Sequence, residues 1–243
     1  MIRRLAAPAV VLIAVTVAAA APADPLRIGL LGSAYMSSVA SLLDHVGLPH
    51  EQLEATVLPA RAPESLDVLF LGYDALGEAN AGPADPAVLQ WLRAYRAAGG
   101  LLCTFYSAPP EVQQLLGIRQ GPYQRQQYEG HFAAMRSNGT VPLLPTAMPQ
   151  RSSNIIPATP LGDSVRVVAT WYDAAGHDTG QPAVLLGPGG AHLTHVLFGE
   201  DLDASARFYT ALLGQLRPQV WAQAAAGALD AAHQRVALAA RAG

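Results

Sequence analysis

Two nucleophilic side chains lie close together in this chain. Cys103 sits inside an apolar run at 101–106, and Ser107 follows it, just before a short helical pattern at 110–116. A serine at a strand-to-helix elbow is the arrangement of G-x-S-x-G hydrolases, in which the sharp turn lifts Oγ clear of the sheet. That turn needs glycines two positions either side of the serine, and here those positions hold Phe105 and Pro109. The competing role for Ser107 is to cap the helix that starts at Pro110. Cys103, in mid-strand, is expected to pack in the core as a small apolar side chain. It is the only cysteine in the chain, so no internal disulfide can form.

Glu200, Asp201 and Asp203 form an acidic cluster after the last apolar run. A glycosidase holds two carboxyl groups about 5 Å or about 6.5–9.5 Å apart on opposite sides of a bond. Neighbouring acids in one loop seldom span that gap, and capping of the next helix by Asp201 or Asp203 is the alternative. The run also lacks the alternating oxygen ligands of a calcium loop. His192 and His195 are three apart on an expected strand and so point to opposite faces. A zinc site would need His177 to fold back towards them. No metal and no cofactor is expected.

Aromatic residues fall where strands should end: Tyr35, Tyr73, Tyr106 and Trp171. Flat apolar ring faces stack on sugar rings, although ordinary core and rim packing uses the same residues. In open α/β sheets ligands bind beyond the carboxyl ends of the strands. On that rule Ser33, Tyr73, Asp74, Tyr106, Ser107 and Glu200 are the expected ligand-binding residues, with Tyr73 and Tyr106 foremost.

The elements that must position these residues follow a regular order. An apolar strand at 26–32 precedes a helix capped by Ser33, which runs to Val46 and stops at Gly47. A short strand is expected at 54–58 and a fully apolar one at 68–72, of the kind buried on both faces of a parallel sheet. Asp85-Pro86 starts a helix to Ala98, Gly99-Gly100 ends it, and the strand at 101–106 and the helix at 110–116 follow. This order predicts an α/β fold: a mostly parallel sheet with helices on both faces and right-handed crossovers. Residues 118–163 show no long periodic element, a length at which such stretches are usually functional or hide an unrecognised element. Strands at 165–172, 183–186 and 191–198 then add an antiparallel part, followed by a helix at 203–213 and an Ala-rich helix at 221–242.

This sequence resembles the class I glutamine-amidotransferase-like fold, on three features. They are the strand ending Leu71-Gly72-Tyr73, the helix ending Ala98-Gly99-Gly100 with its strand, turn and helix, and the antiparallel group closing on Phe198-Gly199-Glu200-Asp201. More narrowly it is similar to exported domains of that kind found with bacterial glycoside hydrolases, including the trimerisation domain of some β-galactosidases. Ala169-Thr170-Trp171-Tyr172-Asp173, Gly176, Gly180-Gln181-Pro182-Ala183, His195-Val196-Leu197 and the stretch 218–221 carry that likeness, which spans most of 26–221. The resemblance implies a catalytic cysteine in the turn near Tyr106-Ser107-Ala108-Pro109 and a histidine near Gly199-Glu200-Asp201. Neither is present, and an acyl-transfer nucleophile needs a base within reach. It therefore implies a non-catalytic domain whose partners are a glycan, a carbohydrate-active enzyme or an identical subunit. The alternatives are a hydrolase using Ser107 or the Glu200–Asp201 pair, and a protein-interaction module docking through residues 222–243.

Composition sets the address. Arg3 and Arg4 precede an uncharged run rich in Ala, Val and Leu, and small residues at 18–23 supply a cleavage pattern. Residues 1–23 are therefore expected to be a signal peptide, 24–221 the α/β domain and 222–243 a terminal helix. The product would be periplasmic or extracellular, with no membrane attachment after cleavage. The run at 5–21 approaches the ~20 residues that span a bilayer, but Pro8 and its weakly apolar alanines argue for cleavage. All 15 basic residues are arginines, scattered singly in a chain of net charge −3, so no basic stripe is available for nucleic acid. Asn138-Gly139-Thr140 fits a glycosylation acceptor but is expected to be incidental.

Overall fold

The computed structural model describes residues 24–32, 35–76, 84–196 and 201–242. The expected leader at 1–23, Ser33 and Glu200 lie outside the described residues. The chain begins β1 (Ile28–Leu31), α1 (Met36–His45), β2 (His50–Leu53), two 3₁₀ turns (Ala55–Ala60 and Pro63–Ser65), β3 (Val68–Leu71), α2 (Pro86–Ala97), β4 (Leu101–Phe105) and α3 (Pro110–Leu116). Short strands follow: β5 (Ile118–Gln120), β6 (Gln124–Arg125), β7 (Phe132–Ser137), β8 (Ala147–Ser152), β9 (Asn154–Ile155) and β10 (Ala158–Pro160). The last part holds β11 (Arg166–Tyr172), β12 (Asp178–Gly187), β13 (Gly190–Leu193), α4 (Leu202–Leu216) and α5 (Gln219–Ala242).

One nine-stranded sheet runs in the order β2-β1-β3-β4-β13-β12-β11-β7-β8. The pairings from β2 to β13 are parallel. Those from β13 to β8 are antiparallel. The fold is thus the expected α/β class, a parallel sheet flanked by helices with antiparallel strands added from the second half of the chain. β3 shows why its strands read as unbroken apolar runs. Phe70 faces a core shared with Leu42 of α1 and Phe208 of α4, while Leu69 and Leu71 face another with Leu92 and Tyr95 of α2. Both faces are covered, so every side chain of the strand is buried, and apolar residues meet that burial without needing a hydrogen-bond partner.

Local chemistry starts and stops these elements as expected at several points. The Asp85 carboxylate accepts a hydrogen bond from the Ala87 N–H at 2.8 Å, with Pro86 in the first helical position. Gly47 (φ +68°) ends α1, and the Leu48 N–H returns to the Leu43 carbonyl at 2.9 Å. α5 packs on α4 and passes so close to that turn that a Cβ on Gly227 would lie 2.8 Å from Gly47 Cα.

Four expectations change. The second strand is His50–Leu53, and the expected 54–58 segment is part of a 3₁₀ turn closed near Pro59, which has no N–H for a ladder. The N-cap of α1 is Tyr35 in the left-handed conformation, without a side-chain cap, rather than Ser33. β13 ends at Leu193 rather than 198, because the Thr194 N–H bonds the Ala183 carbonyl and its own carbonyl accepts from Ile156. Residues 118–163 contain two strands of the main sheet, β7 and β8; a register shift between Phe132 and Ala134 breaks the alternation that would have revealed them. No helix among the described residues is long and apolar enough to cross a membrane.

Candidate functional site

The sheet order reverses at β1, whose neighbours β2 and β3 are reached in opposite directions from it. Crevices in open α/β sheets form at such switch points, beyond the carboxyl ends of the strands. Three of the expected aromatic residues meet there. Tyr35 follows β1, Tyr73 follows β3 and Tyr106 follows β4. The rings of Tyr35 and Tyr73 are 6.2 Å apart, and those of Tyr73 and Tyr106 are 5.9 Å apart, edge to face at 78°. Tyr35 is 40% exposed and the other two are half-buried, so each ring keeps surface towards solvent. Asp74 sits at the base, where a Cβ on Gly32 or Gly72 would lie 2.8 or 2.9 Å from its Oδ1.

Two of the three tyrosines stand on left-handed backbone, Tyr35 at φ 62° and Tyr106 at φ 60°. For an L-residue that conformation costs about 1–2 kcal/mol, and it points the side chain where a regular strand end would not. At Tyr106 the surrounding bonds enforce it. Its N–H bonds the Leu193 carbonyl at 2.8 Å, continuing the ladder, and its carbonyl accepts from Gln120 Nε2 at 2.6 Å. Burial, and then the neighbouring Tyr123, Tyr73 and Tyr35, hold the Tyr106 phenol above its ordinary pKa of 10. The elbow therefore presents a neutral phenol.

A network of side chains behind the elbow was not anticipated from the sequence. Gln120 Oε1 accepts from the Ala108 N–H at 3.0 Å, which fixes the amide so that its Nε2 donates to His192 Nε2 at 3.1 Å. His192 must then carry its proton on Nδ1, which donates to Thr104 Oγ1 at 2.7 Å. Gln113 completes the clamp, accepting from the Gln120 N–H and donating to the Ala108 carbonyl. Burial pushes the His192 pKa down to about 3. The ring is a neutral strut, and both of its nitrogens are committed. Glutamines in an aperiodic stretch carry no sequence signal for this role.

The other expected residues fall elsewhere. Ser107 does not cap α3, whose N-cap is Pro109 with no side-chain bond, and among the described residues it bonds no histidine. Cys103 is 1% exposed, and burial pushes its thiol up to about 12. Asp201 caps α4, accepting from the Ala204 N–H at 2.9 Å, and Asp203 pairs with His45 Nε2 at 2.9 Å. Trp171 is fully buried and donates to Thr194 Oγ1 at 3.0 Å, so it is not a stacking surface. His195 lies against its edge, 4.8 Å between centroids, past the end of β13. His177 is in an exposed turn with Asp173, 3.2 Å away. Asn138 holds its own turn, accepting from Thr140 and donating to the Val167 carbonyl. Tyr123 is 58% exposed and helps to raise the Tyr106 phenol, although no strand end marks it.

No family model and no curated protein matches the chain. Solved structures do. In fold the chain resembles one region of a fucosidase. The α-L-fucosidase isoenzyme 2 from Paenibacillus thiaminolyticus superposes with a TM-score of 0.54 at 12% identity, over 79% of this chain and 33% of that one. This chain thus spans about a third of the fucosidase's length. A protein assigned as a GMP synthase subunit from Thermoplasma acidophilum matches with a TM-score of 0.48 at 12% identity, over 83% of this chain and 98% of that one. A glutamine amidotransferase from Methylobacillus flagellatus gives 0.46 at 12%, over 84% and 94%. At this identity the fucosidase match is a likeness of fold alone.

Proposed function

We propose that this chain is an exported, non-catalytic amidotransferase-like domain that binds a glycan on the Tyr35, Tyr73 and Tyr106 rings, alongside carbohydrate-active enzymes. The observation that carries this reading is the ring cluster itself. Left-handed backbone at Tyr35 and Tyr106 is unfavourable and persists where the surrounding structure enforces it. Here the rings gather beyond the carboxyl ends of β1, β3 and β4, and flat apolar rings suit the apolar faces of sugar rings. A phenol at the elbow, a core-buried thiol and a histidine bonded at both nitrogens support a binding role over acyl transfer. A fucosidase among proteins of this fold is in keeping with a sugar ligand. The hydrolase alternative loses support because Asp201 is engaged as a cap and Ser107 has no partner base among the described residues.

The test is a calorimetric titration against a panel of neutral oligosaccharides. A saturable ligand is expected, weakened about tenfold by Tyr106→Ala and by Tyr73→Ala, as befits loss of one stacked ring. A panel without binding, or binding indifferent to both substitutions, would remove the reading.

A further inference from the structure

The amino ends of the strands hold a second, unrelated arrangement. Arg96 in the last turn of α2, Arg166 at the start of β11 and Arg217 after α4 line one cavity of about 560 Å³, together with Asp163 and Ser164. Arg96 donates to the Gly100 carbonyl and, at 2.9 Å, to the Pro188 carbonyl. Arg217 donates through one terminal nitrogen to the Gly99 carbonyl. These bonds tie two guanidinium groups to the same turn and leave part of each donor fork unused.

Clamping of carbonyls explains Arg96 but not the rest. Arg217 Nε is buried without a hydrogen-bond partner. Arg166 is exposed, and among the described residues it makes neither a hydrogen bond nor an ion pair. Asp163 pairs with none of the three, and the nearby Asp67 is bonded to Arg27, at 2.9 and 3.0 Å, and attracts Arg217 only through space. Three positive groups therefore line one cavity, and the Arg166 guanidinium and Arg217 Nη1 keep donors without an acceptor among the described residues. Like charges gathered around one cavity repel one another unless an anion is shared between them.

We propose that this cavity binds a compact oxyanion, a phosphate or sulfate group, through the Arg166 guanidinium and Arg217 Nη1, with Ser164 at its rim. Planar forked donors match the geometry of such anions. The site lies about 17 Å from the tyrosine rings along β4, so the two can be tested apart.

Inorganic phosphate and sodium sulfate, titrated separately into the full chain at constant ionic strength, are the probes. Saturable binding of at least one is expected, weakened about tenfold by Arg217→Gln and by Arg166→Gln and unchanged by Tyr106→Ala. Arg217→Gln removes a bond to the Gly99 carbonyl, so a fold loss in that variant leaves Arg166→Gln, which breaks no hydrogen bond or ion pair among the described residues, to decide. A preference for one anion names the source as a phosphate or a sulfate. Heats no larger than those of matched sodium chloride, or binding that Arg166→Gln leaves intact, would overturn the assignment.

Discussion

Tyr106 and Leu143 share a left-handed backbone, at φ 60° and 62°, but differ in what surrounds them. Tyr106 is held between the Leu193 carbonyl and Gln120 and carries a ring of the candidate site, whereas Leu143 is 77% exposed. The conformational penalty can therefore be isolated at each. Tyr106→Gly is expected to be about 1 kcal/mol more stable than Tyr106→Ala, since both lose the ring and only alanine keeps the penalty. Equal urea midpoints for the two would argue against a left-handed elbow. Leu143→Gly is expected to raise stability by up to about 1 kcal/mol, because little packing is lost to offset the relief. A lower midpoint in that variant would mean that its side chain contributes more than its exposure implies.

Among the elements, the helix starts and the approach of β13 to β4 are the points most open to test. Asp85→Ala and Asp201→Ala each remove one N-cap acceptor, at 2.8 and 2.9 Å, and each should cost about 1 kcal/mol in chemical denaturation. Gly190 is a harder constraint. A Cβ there would lie 1.8 Å from the Leu102 carbonyl oxygen, at φ +130°, and both clashing groups are backbone in paired strands. Gly190→Ala is expected to cost about 3 kcal/mol or more and to lower soluble yield. A near-native melting curve would show that the ladder between these strands can give. The same pairing delivers Leu193 to Tyr106, so the elbow depends on an element from the far end of the sequence.

For the whole molecule, two buried histidines set the response to acid. His192 and His195 are both held near pKa 3, His192 by burial and His195 by burial and then by the neighbouring His192. Unfolded histidines titrate near ~6.5, so between those values the unfolded chain binds more protons than the folded one. Stability is therefore full above about pH 6.5 and falls as the pH drops towards 3, by up to about 1.4 kcal/mol per pH unit for each histidine. His195 has no hydrogen-bond partner at either buried nitrogen and touches Trp171 edge-on. His195→Phe keeps an aromatic contact there and should reduce the slope between pH 6.5 and 5 by about half. Urea midpoints across that range would reveal the slope, and an unchanged one would exclude a neutral buried His195.

The sequence by itself determined the elements whose evidence is local. The unbroken apolar run at β3, the mostly apolar one at β4, the Asp85-Pro86 start of α2, and the glycine stops after α1, α2 and α3 are all written within a few residues, and from them the α/β class followed. Tyr73 and Tyr106 were legible as strand-end residues because strand-end position is a local property once the class is known. What the tertiary structure alone decided depends on partners distant in the chain. Whether His192 is a base or a strut turns on Gln120 and Thr104, 72 and 88 residues away. Trp171 reads like the tyrosines in sequence and is buried only because Thr194 and Phe132 meet it. A register shift between Phe132 and Ala134 interrupts the pairing of β7 with β8, so ladder bonds rather than periodicity define them. The cavity of Arg96, Arg166 and Arg217 left no trace at all, since scattered single arginines become a cluster only when a helix end, a strand start and a loop converge.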